Sequence, residues 1–381
     1  MLITLFIVSI GIVAYTYAAY PLFVAFLGTF RPMAWRRDES YVPRVTLLIS
    51  AYNEEAVIDE KLRNSLALDY PREQLQIVVA SESTDGTNRI VRGFADRGIQ
   101  LREFAERRGK SATIGRVMPD VTTEIVVFSD ANALYKPDAL RKLTRNFADA
   151  RVGAVIGHLQ YRDPAATVGG RGETLYWQYD HWLRYHASRT MSIIPGITGG
   201  MFAIRRALYF PLQEERGDDY ELCTGIATRG HAVVFEPDAV AEEQASETTR
   251  QQFRRKIRLV RWNTASSLML IRDALRFRRP FVAFQVLSHR LLRYTVPIWL
   301  LCALVASLAL APSSAFFSAV AALQVAFYFV GAAGWAAEAS HLTLPKICLI
   351  PSYFVMVNMA AMCALVAGLT RGQVTVWQKQ R

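Results

Sequence analysis

Three stretches of this chain carry no charged side chain: Met1–Phe30, Tyr294–Ala337 and Ile347–Thr370. A charge-free apolar run of about 20 residues is long enough to cross a bilayer as a helix. In lipid each backbone polar group must find its partner inside the segment, so a helix is the structure such runs allow. They confine any soluble fold to the segment between Arg31 and Arg279, whose composition is that of an ordinary globular domain.

The first run begins MLITLF, without a base, and its bases follow in RPMAWRR. A cleaved signal peptide has the opposite order. The pattern predicts a retained anchor whose C-terminal side faces the cytoplasm, beside Arg31, Arg36 and Arg37. Arg290 and Arg293 precede the second run on the same side. The break at Ala311-Pro-Ser-Ser314 divides that run into two spans, and the chain returns between Glu338 and Lys346. Ile347–Thr370 reads as a fourth span, which leaves Arg371, Lys379 and Arg381 outside. The expected organisation is an anchor at 1–30, a globular domain at 31–249, basic amphipathic helices at 250–290 and a membrane region at 291–381. Cys223, Cys302, Cys348 and Cys363 form no CxxC pair, so neither a disulfide framework nor a zinc site is indicated.

The net charge is +11, and Arg250–Arg279 holds ten bases and one acid, Asp273. A solvated helix face or a nucleic-acid patch would also be basic. Position decides for a membrane surface: the run directly precedes a span, where anionic headgroups attract each Lys or Arg by about 1 kcal/mol.

Within the globular part, Val45–Ser50, Gln76–Ala80, Ile99–Phe104 and Glu124–Ser129 read as strands separated by helical segments. This alternation predicts a parallel, doubly wound sheet. Ligands of such sheets bind beyond the C-terminal strand ends, so the polar clusters at Asn53, Asp85 and Asp130 should share one edge. After Arg151 the pattern becomes irregular, with a Trp/Tyr/His-rich helix from about Tyr176 to Tyr185.

Asp130 and Asn132 offer oxygen ligands two residues apart at the end of a buried strand. Such a pair suits a Mg²⁺ or Mn²⁺ ion shared with a diphosphate, and an Asp that merely caps the next turn would look the same. Asp218 and Asp219 open a helical stretch, where an acid serves either as a general base or as a cap. Gly109-Lys110-Ser111 is not a phosphate loop, because position 104 is Phe where that motif needs Gly.

Eight short pieces then occur in one order: Ser50-Ala-Tyr-Asn-Glu-Glu55, Ser83-Thr-Asp-Gly-Thr87, Arg108-Gly-Lys110, Ser129-Asp-Ala-Asn132 with Pro137-Asp-Ala-Leu140, Gly199-Gly-Met-Phe-Ala-Ile-Arg-Arg206, Asp218-Asp219, Gly230-His-Ala-Val-Val-Phe-Glu-Pro237, and Phe253-Arg-Arg-Lys-Ile-Arg258. Together they resemble the membrane-bound, inverting family 2 glycosyltransferases, over about Val45–Trp262. The resemblance implies a GT-A fold, an α/β Rossmann-like architecture with a doubly wound mixed sheet. It implies a nucleotide sugar donor, taken as a UDP-sugar, with Mg²⁺ or Mn²⁺. It also implies a lipid-linked or glycan acceptor, membrane lipids as partners rather than nucleic acid, and a catalytic domain at the cytoplasmic face of a bacterial inner membrane.

By the same resemblance, Ala51, Tyr52 and Glu54 line the nucleotide pocket, Ser81, Glu82 and Asp85 lie near base and ribose, and Lys110 approaches the base or diphosphate. Asp130 and Asn132 hold the metal, Asp130 also reaching the nucleotide. Asp219, with Asp218 beside it, is the general base. Gly199, Gly200, Arg254, Arg255, Arg258, Arg261 and Trp262 fall on the diphosphate or acceptor side. The sequence departs from the family at Asn132, where many relatives have Asp, and at Ala80-Ser-Glu82, where a paired Asp is usual. It departs again at Arg258-Leu-Val-Arg-Trp262, where processive members have Gln-x-x-Arg-Trp. A processive polysaccharide synthase and a non-catalytic nucleotide-binding scaffold therefore stand as alternatives.

Overall fold

Eight strands form one sheet in the order β3-β2-β1-β4-β7-β6-β8-β5 in the computed structural model, which describes residues 1–162, 168–190, 197, 199–213, 217–244, 249–339 and 348–370. The strands are β1 (Val45–Ala51), β2 (Leu75–Ser81), β3 (Ile99–Glu103), β4 (Ile125–Asp130), β5 (Leu134–Tyr135), β6 (Val152–Arg162), β7 (Phe202–Arg205) and β8 (Ala232–Gln244). The half built from β1 to β4 is parallel, as the alternating pattern predicts.

Both faces of this half are covered, and strand periodicity explains how. Leu47, Ile49, Ile125 and Val127 enter one hydrophobic cluster. Their alternates Leu48, Val126 and Phe128 enter a second cluster on the opposite face. The covering helices of the globular part are α3 (Ile58–Leu66), α4 (Thr87–Arg92), α5 (Lys110–Val117), α6 (Ala139–Thr144), α7 (Val168–Ser188) and α8 (Asp218–Thr228).

The second half corrects the irregular reading of the chain after Arg151. Strand β7 pairs antiparallel with both β4 and β6, β6 runs parallel to β8, and β5 closes the edge antiparallel to β8. Phe128 of β4 faces Phe202 of β7 in register, and their rings stack at 4.7 Å. The strand signal is weak here for local reasons. β7 has four residues, β8 contains Pro237, and the β6·β8 ladder is bulged at Val152/Ala154 and Gly157/His158.

Among the described residues, four helical rods are long and apolar enough to cross a membrane: Leu2–Phe30, Pro280–Ser313, Ala315–Ala337 and Ile350–Gly368. The first joins α1 (Leu2–Ala14) to α2 (Tyr20–Phe30) through a π turn. The basic segment is one helix, α9 (Thr249–Arg276), packed against α8, α10 (Pro280–Val286) and α13 (Leu349–Thr370). The second rod starts at Pro280, earlier than Tyr294. It runs from α10 through a π turn at Leu287–Leu291 into α11 (Leu292–Leu310), and α12 (Ala315–Ala339) follows. Its charged residues lie over rings, Arg290 over Tyr220 and Arg293 over Tyr17, which is why a charge-free window misses its first turns. The return segment near Lys346 and the tail with Arg371, Lys379 and Arg381 lie outside the described residues.

Candidate active site

The parallel strands end level with one another. Register places Ser50 of β1 beside Asp130 of β4, and Ala51 beside Ser81 of β2. The loops leaving these ends are laced together. Asn53 adopts a left-handed conformation (φ 53°), its N–H donates to Ser83 Oγ at 2.9 Å, and its Oδ1 accepts from the Thr84 N–H at 2.9 Å. The Glu54 N–H donates to Thr87 Oγ1. The clusters around Asn53 and Asp85 thus meet, as expected.

Several residues expected near the nucleotide make hydrogen bonds that brace this edge. Ser81 has no exposed surface, and its hydroxyl donates to Asn88 Oδ1 at 2.6 Å. Asp85 Oδ1 accepts from the N–H and hydroxyl of Thr87, capping α4. The buried Glu82 accepts from the backbone N–H groups of Arg108 (3.1 Å) and Gly109 (2.9 Å). It thereby fixes the turn that launches α5, where Gly109 has φ 95°, a conformation that favours glycine. Ala51 is buried, and the ring of Tyr52 lies 3.8 Å from the guanidinium of Arg107.

The turn at Gly109 delivers Lys110. Its ammonium donates to Asp130 Oδ1 at 2.7 Å and lies 3.1 Å from Asp218 Oδ2. Burial alone would lower the lysine's pKa, but Asp130 and Asp218 overcome it and raise the value. Burial pushes the Asp130 carboxyl up, and Lys110 more than reverses this, holding it below the ordinary range. Arg255 and Arg258 of α9 add their fields at Asp130. Burial, and the neighbouring Arg255, bring Arg258 down to about 10. Its guanidinium lies over Trp262 at 5.2 Å. Arg254 stands on the exposed flank of α9.

Gly199 closes this group. A Cβ there would lie 2.8 Å from Lys110 Nζ and 3.3 Å from Asp130 Oδ2. Gly200, next to it, offers its carbonyl to the Tyr135 hydroxyl. Asn132 donates from Nδ2 to Glu243 Oε1 at 2.8 Å. Asp218 and Asp219 sit in the first turn of α8, where the helix dipole favours negative charge. Burial, with the repulsion of Asp218, pushes Asp219 up to about 7 despite the opposing pull of Lys110.

The sequence reading missed Lys61 and Asn64. On α3 the spacing of Ile58, Lys61, Leu62 and Ser65 gives one buried face, and a lysine on such a face is the signal that was available. Lys61 has no exposed surface, donates to the Ala133 carbonyl and lies 3.9 Å from the Tyr135 ring centre. Burial lowers its pKa to about 7. Asn64 brackets the Tyr135 backbone with two 2.8 Å hydrogen bonds. The pair clamps the segment immediately after Asp130 and Asn132.

Residues 43–263 match the family model described as "Glycosyltransferase like family 2". The chain belongs to this family. It is similar to the "Probable glycosyltransferase YdaM" of Bacillus subtilis, 27% identical over 266 residues, which cover 66% of this chain and 63% of that protein. It is similar to the beta-monoglucosyldiacylglycerol synthase of Nostoc sp., 29% identical over 184 residues, covering 47% of this chain and 39% of that protein. The matches therefore span less than two thirds of these relatives. The solved mannosyltransferase PcManGT from Pyrobaculum calidifontis, in complex with GDP-Man and Mn²⁺, superposes with a TM-score of 0.75 at 27% identity, covering 96% of this chain and 99% of that one. The mixed eight-stranded sheet with flanking apolar helices is the GT-A architecture that the motifs imply.

Proposed function

We propose that this family 2 chain transfers a sugar, with inversion, from a nucleotide sugar to a lipid-linked or glycan acceptor at the cytoplasmic membrane face. The observation that carries the reading is the convergence of Asp130 and Asp218 on one cation, the Lys110 ammonium, at the C-terminal edge of the parallel strands. Two carboxylates that already share a positive charge suit an anionic donor bound through a metal, with Asp130 and the Asn132 side-chain oxygen as its protein ligands. A divalent ion bound there would supply charge stabilisation of the leaving diphosphate. Among the described residues no group of three or more His, Cys, Asp or Glu gathers, so one or two protein oxygens shared with a diphosphate is the fitting arrangement.

The chain's own residues supply the remaining steps. Lys110, Arg255 and Arg258 neutralise charge that develops as the anomeric C–O bond breaks, and the electron pair leaves on the nucleoside diphosphate. The acceptor hydroxyl forms the new bond from the opposite face. Asp219 takes its proton, for which a value raised to about 7 is well placed. The donor is taken to be a UDP-sugar, and the GDP-Man complex of PcManGT makes a guanosine donor the comparison to run. The four apolar rods and the basic α9 support membrane anchoring beside the site, with the bacterial inner membrane the natural setting.

The test is transfer by the full-length protein in detergent, with labelled UDP- and GDP-sugars and a lipid extract as acceptor. Donor-dependent labelling of lipid or glycan supports the reading. Absence of both transfer and donor hydrolysis, with nucleotide still bound, would favour the scaffold alternative. A long polymeric product would identify a processive synthase.

A further inference from the structure

Asp219 lies on α8, which packs against α9. Its Oδ1 accepts the Tyr220 N–H at 2.7 Å. A methyl group built on Gly217 would lie 3.3 Å from this same oxygen and 3.8 Å from Oδ1 of Asn263 on α9, so the two side chains flank one point. Asn263 is buried, and its Nδ2 donates to the Tyr294 hydroxyl at 3.2 Å. Tyr220, also buried, shares a 2.9 Å hydrogen bond with Ser267 of α9. The guanidinium of Arg290 lies 4.7 Å from the Tyr220 ring centre.

Arg290 and Tyr294 are one helical turn apart within the second apolar rod, where its π turn meets α11, so they share a face. The turn that brings them there is irregular. Leu287–Leu291 is wound as a single π turn, which shifts the phase of the helix between α10 and α11. Such turns are rare and recur at functional sites. One span thus touches the neighbours of Asp219 twice, through its chain neighbour Tyr220 and through Asn263.

We infer that Arg290 and Tyr294 are positioning residues for Asp219, so that the second span, where its π turn meets α11, sets the orientation of the base. This rests on the reading of Asp219 as the base. Neither residue need touch the substrate.

The test uses the full-length protein in detergent with a transferable acceptor. Tyr294→Phe removes one hydroxyl and keeps the ring. It is expected to lower kcat by about 10-fold or more, since small misplacements of a catalytic group cost up to about 100-fold, with donor KM unchanged and a small fall in Tm from the lost hydrogen bond. Asn263→Asp keeps the shape and sets a second negative charge near Asp219, so the acid limb of the pH–rate profile should move to higher pH. A merely structural defect would raise donor KM along with lowering kcat. Wild-type kcat in Tyr294→Phe overturns the inference, while Asp219→Asn measured in parallel stays inactive. Transfer by Asp219→Asn within about 10-fold of wild type overturns the base assignment and this inference with it. If Tyr294→Phe fails to fold, Arg290→Gln decides, a loss of kcat at unchanged donor KM supporting the inference and wild-type kcat overturning it.

Discussion

A side chain on Gly199 has nowhere to go, because its first carbon would lie 2.8 Å from the ammonium of Lys110. That atom is tied to Asp130 and Asp218, so it does not yield as a surface lysine would. Gly199→Ala is expected to leave the fold intact and displace Lys110. Transfer should fall by about 100-fold, the cost of an ångström-scale misplacement. Steady-state rates with a circular dichroism control check this.

Asp219→Asn keeps the shape and removes the basicity. Transfer should fall by about 10²- to 10⁴-fold while nucleotide binding survives. In the wild type, kcat/KM should rise with pH through an apparent pKa near 7, because the carboxyl must be ionised to accept a proton. The stability sign is opposite. A folded value above the unfolded one of about 3.9 means the group's contribution is complete below about pH 4 and is lost as pH rises through 7. Thermal unfolding across this range should be flatter in Asp219→Asn.

Removal of divalent ions should abolish transfer, and Mg²⁺ or Mn²⁺ should restore it. Asp130→Ala should not be rescued by either ion. Full activity in chelator would sink the metal assignment and leave Lys110, Arg255 and Arg258 as the stabilisers of the leaving group.

Glu236 has no exposed surface and is held by Arg145 at 2.9 Å and by Asn146 Nδ2 at 2.9 Å. Glu236→Ala leaves Arg145 with Glu39 and Asp238 and takes from the buried Asn146 amide one of its acceptors. The expected loss is about 1–3 kcal/mol, read as a lower denaturation midpoint, without a change in donor specificity.

The proposed sidedness is checked with a cysteine at Glu73, an exposed turn residue of the globular part. In intact cells it should resist a membrane-impermeant maleimide and react after permeabilisation. Labelling in intact cells would place the site on the side without nucleotide sugars.

The parallel half of the sheet was legible because β1, β2 and β4 are short apolar runs whose alternate residues feed two clusters. The antiparallel half was not, since β7 is short and β8 carries Pro237, so their pairing depends on contacts far apart in sequence. The apolar rods were legible from charge alone, except the start of the second, whose Arg290 and Arg293 are accommodated by tyrosines from other helices. Among site residues, Asp130, Asp218, Asp219 and Lys110 could be named by motif. Their convergence could not, because 20 residues separate Lys110 from Asp130 and their contact exists only once β4 and α5 are packed.

The sequence by itself determined which segments are apolar enough for a membrane, the parallel strand core and the family. Hydrophobic period and charge are local properties, and a motif's order is written along the chain. Tertiary structure alone decided that Ser81 bonds Asn88 and Glu82 fixes the turn before Lys110, that Lys61 is buried beneath Ala133, and that Asn263 pairs with Tyr294. A buried polar side chain needs a partner, and for these residues the partner comes from a distant element whose place is fixed only when the whole chain has folded.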